Sequence, residues 1–131
     1  MKKIQEILFL QNLRGVKKST IYKKYWYFLC NSYNTNELIN LIKRQYNEYS
    51  DTEYLTALKK SIKIYEDLLT QTDIKIITVF DDNYPIKLNV MNENRPLVIY
   101  AKGNDILSNK SNMAIIVHEN LRILSKNLKR V

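Results

Sequence analysis

Along the first half of the chain, apolar positions recur every three or four residues, the spacing that lines one side of an α-helix. Ile4, Ile7, Leu8, Leu10 and Leu13 predict an amphipathic helix over 2–13, which Gly15 stops. Lys17-Lys18-Ser19-Thr20 then supplies N-cap chemistry for a second helix over 21–30, carrying Tyr22, Tyr25, Trp26, Phe28 and Leu29. Asn34 or Thr35 can cap a third helix over 36–46 that turns Leu38, Ile39, Leu41 and Ile42 inward. Ser50-Asp51-Thr52-Glu53 is a capping-box pattern opening a fourth helix to about residue 71. Along it Leu55, Leu58, Ile62, Tyr65 and Leu69 keep a seven-residue rhythm, with Lys59, Lys60 and Lys63 on other faces.

The period changes near Thr72. Three β-rich runs follow, at 74–80, 96–101 and 113–117, each closed by turn residues. Tyr84-Pro85 forces Tyr84 out of helical geometry and opens a short helix over 85–88, and Arg95-Pro96 acts likewise before the second run. Strands spaced in this way, with a final helix over 121–130, predict the opening of a parallel α/β sheet. The expected fold is therefore α+β or α/β: a helical bundle over 1–72, then an α/β segment of about three strands over 73–131. A three-stranded parallel sheet with an uncovered edge stands poorly alone. Either a homo-oligomer or partner chain completes it, or the carboxyl-terminal segment packs against the helices.

The chain has 131 residues, of which 45% are hydrophobic and 26% charged, within the range of folded domains. No run approaches the ~18 apolar residues of a membrane span, and polar Gln5, Glu6, Gln11 and Asn12 break the amino terminus as a secretory signal. The expectation is a cytoplasmic protein with no membrane partner. Cys30 is the single cysteine, which excludes an internal disulfide and a cysteine-based zinc site. The net charge of +8 points to an anionic partner, most simply nucleic acid. Part of the lysine excess also follows from a composition rich in Lys, Asn, Ile and Tyr, residues with AT-rich codons.

Catalytic chemistry is sparse. His118 is the only histidine, and beside Glu119 it lacks the convergent groups that an acid–base or metal site needs. Asp81-Asp82 suits a turn and cap better than Mg²⁺, because consecutive residues at a strand end point apart. Two glycines cannot build a glycine-rich phosphate loop. Neither an enzyme, a cofactor nor a metal is expected. The run IYKKYWYF among ten tyrosines has two readings. Its rings can stack unpaired bases beside phosphate-binding lysines, or they can pack the second helix against its neighbours. In a mixture of the two, Trp26 and Phe28 are buried and Tyr22 or Tyr25 is partly exposed.

The stretch LQNLRGVKKSTIYKK resembles a helix-hairpin-helix, with Lys17 where the second glycine of that motif stands. Such a hairpin implies phosphate contacts from Arg14, Gly15, Lys17, Lys18, Ser19, Lys23 and Lys24. The other reading is an ordinary corner between two helices, with Gly15 as a C-cap.

The second half resembles the DNA-processing protein A (DprA/Smf) family on the order of its motifs. Asp82, Tyr84, Pro85 and Leu88 match an acidic-x-Tyr-Pro-x-x-Leu signature. Pro96 followed by LVIY matches a strand, Lys102, Gly103 and Asn104 a turn, and MAII the strand before a Gly-x-Arg phosphate loop. At that loop this chain reads Val117, His118 and Glu119, without the small residue and the cation. The resemblance implies an amino-terminal helical SAM-like domain, then a truncated Rossmann-like sheet. It also implies non-catalytic binding of single-stranded DNA in DNA processing, natural transformation and recombination, with a RecA-like recombinase or a DprA-like chain as partner. The alternative is a protein-interaction module or degenerate fragment that engages such a partner without binding DNA.

Overall fold

The computed structural model describes residues 3–102. Five α-helices precede a two-stranded antiparallel sheet among these residues, an α+β arrangement. The chain divides into two compact units, Met1–Asp67 and Leu68–Val131.

In the first unit, α1 (Ile4–Gln11) is the central helix. Ile4, Ile7, Leu8, Phe9 and Leu10 are all buried, so it is covered nearly all round. Its buried carboxylate, Glu6, accepts from Lys3 Nζ at 2.9 Å and from the Ser32 hydroxyl at 2.8 Å, so the charge is both paired and hydrogen-bonded. Asn12 closes the helix by donating from Nδ2 to the Leu8 carbonyl at 2.7 Å. Gly15 then takes φ +77°, the left-handed conformation that reverses the chain.

The predicted second helix is built from three contiguous pieces: α2 (Lys18–Thr20), a π-helical turn (Ile21–Tyr25) and α3 (Trp26–Asn31). Ile21, Tyr25 and Leu29, at i, i+4 and i+8, form its buried edge. The expected division of its aromatics changes accordingly. Tyr25 is buried at 1% exposure, whereas Trp26 and Phe28 are only half-buried. Trp26 and Phe28 flank the edge formed by Ile21, Tyr25 and Leu29 rather than lie on it.

Asn34 caps α4 (Thr35–Gln45) by accepting from the Glu37 amide at 2.9 Å, and Glu37 Oε1 accepts from the Tyr33 amide at 2.9 Å. Leu38, Ile39 and Ile42 are buried, while Leu41 is half-buried. The box at α5 (Asp51–Leu69) forms as its sequence predicts: Glu53 N donates to Ser50 Oγ at 3.2 Å and Ser50 N to Glu53 Oε1 at 3.1 Å.

The inward face of α5 is not the seven-residue series read from the sequence. Tyr54, Ala57, Ser61 and Leu68 are buried, whereas Leu55, Ile62 and Leu69 are 50%, 45% and 63% exposed. Ala57 and Ser61 are small, and Ser61 satisfies its hydroxyl on the Leu58 carbonyl at 2.8 Å. The buried stripe therefore runs one position earlier.

In the second unit, β1 (Ile74–Thr78) and β2 (Val98–Lys102) pair antiparallel, with Ile76 opposite Tyr100 and Ile77 opposite Ile99. This corrects the parallel sheet expected from the order of elements. A parallel pair needs a crossover that carries the chain back along the sheet. Here the connection instead makes turns at Thr78–Asp81 and Asp81–Tyr84 and a 3-10 helix (Ile86–Asn94), returning to the end of the sheet it left. Val79 N still donates to the Leu97 carbonyl at 2.9 Å, one step past the ladder. The core holds Ile77, Tyr84 and Ile99, with Val79 and Leu88 against it. Gly103, Asn104, the expected third strand over 113–117 and the final helix over 121–130 lie outside the described residues.

Candidate nucleic-acid interface

The glycine corner brings the candidate cations together on the first unit but gives them different surroundings. Arg14 is committed to the fold. Its Nε donates to Glu53 Oε2 at 2.7 Å, Nη2 reaches the Glu48 carbonyl at 3.5 Å, and its guanidinium lies 5.3 Å from the centre of the Tyr49 ring. Tyr49 returns the contact by donating its hydroxyl to the Arg14 carbonyl at 2.6 Å. The hydrogen bond from Arg14 holds the Glu53 carboxyl below its ordinary range, with help from the Ser50 amide. Arg14 is correspondingly raised, mainly by that same bond.

Lys24 is committed in the same way. Its Nζ lies 2.5 Å from Glu48 Oε1 and 4.5 Å from the centre of the Tyr46 ring, a paired cation over an aromatic face. Tyr25 sits beneath, and burial pushes its phenol up, so it stays neutral.

Lys17, Ser19 and Lys23 are exposed and Lys18 is half-buried. The Lys17 amide donates to Thr20 Oγ1 at 3.2 Å, which fixes the start of α2. One turn on, the half-buried rings of Tyr22 and Trp26 pack together with centroids 5.1 Å apart and planes tilted by 35°. The surface around α2 and the π turn thus carries lysines next to an aromatic pair with part of its area in water.

The signature residues of the second unit have structural roles. Tyr84 donates its hydroxyl to the Pro96 carbonyl at 2.6 Å. The turn before it is held by half-buried Asp81, whose carboxylate accepts from the Thr78 amide at 2.7 Å, while Asp82 is exposed. Pro85 precedes the 3-10 helix and Lys102 ends β2. Among the described residues no group of three or more His, Cys, Asp or Glu side chains could hold a metal ion. Likewise no described helix is long and apolar enough to cross a membrane. Partial burial pushes the Cys30 thiol up, away from thiolate chemistry.

Two features escaped the sequence reading. Glu48 and Glu53 neutralise Lys24 and Arg14 from 24 and 39 residues away, and nothing local announces such pairings. A groove between α3 and α4, lined by Tyr27, Asn31, Asn36, Asn40 and Arg44 among others, also went unread. Its signal was present in the i, i+4 repetition of Asn36, Asn40 and Arg44. Comparison of the chain with protein-family models, with curated proteins and with solved structures finds no match.

Proposed function

We propose that this chain is a non-catalytic protein, similar to DNA-processing protein A, that binds single-stranded DNA in a processing or recombination setting. The observation that carries the reading is the Tyr22–Trp26 pair, half-exposed beside Lys17, Lys18, Ser19 and Lys23. Unpaired bases stack on such rings whatever their sequence, and lysines beside them neutralise the phosphates that follow. Duplex DNA keeps its bases stacked on one another and offers such rings nothing. Arg14 and Lys24, occupied by Glu53 and Glu48, have a smaller role in contact with DNA. A Rossmann-like completion of the second unit and a RecA-like or DprA-like partner belong to the same reading.

Trp26 is the single tryptophan, so its emission reports directly on the site. Titration with single-stranded and duplex oligonucleotides at several salt concentrations is expected to quench it saturably for single strands, with affinity falling steeply as salt rises. Unchanged emission together with unchanged anisotropy of a labelled single strand at low salt refutes the proposal.

One observation favours the protein-interaction alternative. Leu55 and Ile62 stand exposed one heptad apart on α5, as on a helix face that meets another protein. Self-association or partner capture that is insensitive to salt and lost in Leu55→Glu/Ile62→Glu would favour that reading.

A further inference from the structure

α3 and α4 flank an open groove of about 560 Å³ on the first unit, a volume in the range of small-molecule sites. Its wall from α3 is Tyr27, a residue 72% exposed, with Asn31 one turn on. Its wall from α4 is a stripe at i, i+4 and i+8, formed by Asn36, Asn40 and Arg44, on the side away from buried Leu38 and Ile42. Two further amides of the groove already serve the fold: Asn31 donates to the Tyr27 carbonyl at 2.7 Å and Asn34 caps α4. The side chains of Asn36, Asn40 and Arg44 enter no hydrogen bond or ion pair among the described residues. Glu37, also on α4, lines the groove too, with Oε1 accepting from the Tyr33 amide.

These groups form a complementary set. A flat ring with donors and acceptors on its edge stacks on Tyr27 and meets carboxamides, which pair with base edges two bonds at a time. A carboxylate at the same edge accepts from an exocyclic amino group and repels a carbonyl. Arg44, one turn beyond Asn40, matches the phosphate attached to such a ring. We propose that the groove between α3 and α4 receives one unstacked, amino-bearing base, adenine, cytosine or guanine, with its 5′-phosphate on Arg44. Tyr27 is the stacking face, Asn36 and Asn40 read the edge, and Glu37 selects for the amino group. In a single strand held at Lys17, Lys18 and the Tyr22–Trp26 pair, this would add base preference to binding that charge and stacking leave indifferent to sequence. That last step rests on the function proposed above, whereas the groove's affinity for a nucleotide does not.

The test uses the full chain labelled with ¹⁵N and follows the side-chain amide signals of Asn36 and Asn40 and the Nε–H signal of Arg44. The titrants are dAMP, dCMP, dGMP, dTMP and deoxyribose 5-phosphate. Saturable shifts are expected with dAMP, dCMP and dGMP, at least severalfold weaker with dTMP, and with deoxyribose 5-phosphate at Arg44 alone. They are expected to disappear in Tyr27→Ala, a substitution at a site exposed enough to leave the fold intact, and to persist in Lys17→Glu/Lys18→Glu. Asn36 and Asn40 signals that no nucleotide moves, or that dTMP moves as strongly as dAMP, overturn the inference. If oligonucleotides bind while the groove stays silent, the groove assignment falls and the nucleic-acid function stands. If the groove signals shift while oligonucleotides fail to bind, the groove assignment stands and the nucleic-acid function falls.

Discussion

The buried hydroxyl of Tyr84 donates to the carbonyl of Pro96 across 2.6 Å, joining two residues twelve positions apart. Tyr84 ends the turns that follow β1, and Pro96 precedes β2. The bond therefore closes the connection on itself, so that β2 begins beside the point where β1 finished and must run back along it. Replacing Tyr84 by Phe keeps the ring against Ile77 and Ile99 but leaves the Pro96 carbonyl buried without its donor. Such a group costs about 1–3 kcal/mol. The expected outcome is a lower urea midpoint with an unchanged slope, and a midpoint equal to that of the wild type would show that this bond does not hold the connection.

Gly15 turns the chain between α1 and α2 at φ +77°, with open space where a Cβ would project. Its requirement is therefore conformational rather than steric. Gly15→Ala is expected to cost about 1 kcal/mol, and Gly15→Asn less, because Asn tolerates the left-handed region better. Thermal melts of the two variants check the order.

Glu53 is held below its ordinary range first by Arg14 and then by the Ser50 amide. A carboxylate depressed in the folded state stabilises it fully above the unfolded value, and that contribution is lost as pH falls through the lower folded value. Glu53→Gln keeps the reciprocal capping bonds and removes the charge. The variant is expected to melt below the wild type at neutral pH, with the gap constant down to about pH 4.5, the ordinary value, and closing below it. A gap that widens on acidification would contradict the Arg14–Glu53 pairing.

The candidate cations are expected to separate into two classes. Charge reversal at Lys17 and Lys18 should weaken single-strand binding and lower the salt slope by ~0.7 for each phosphate that is no longer neutralised. Arg14→Gln and Lys24→Gln, which break pairs with Glu53 and Glu48, should shift thermal stability slightly and leave that slope nearly unchanged. Equal slopes for all four variants would remove the distinction between Arg14 and Lys24 on one side and Lys17 and Lys18 on the other.

The residues of the chain determined its local structure, since caps and periodicity act over a few positions. Asn34 caps α4 and Ser50 exchanges bonds with Glu53, as their spacing alone requires. Gly15, Pro85 and Pro96 likewise punctuate the chain through their own backbone preferences. Tertiary structure decided what depends on partners distant in sequence. The heptad of Leu55, Ile62 and Leu69 has a helical period but does not say which side meets the core, and the folded chain buries Tyr54, Ala57, Ser61 and Leu68 instead. Composition supplied Arg14 and Lys24 as cations, while the fold brought Glu53 and Glu48 to neutralise them. The sense of the sheet was equally beyond local reading. Strand propensity is the same for either direction, and the choice went with a connection that turns back on itself, joined across its ends by the bond from Tyr84 to Pro96.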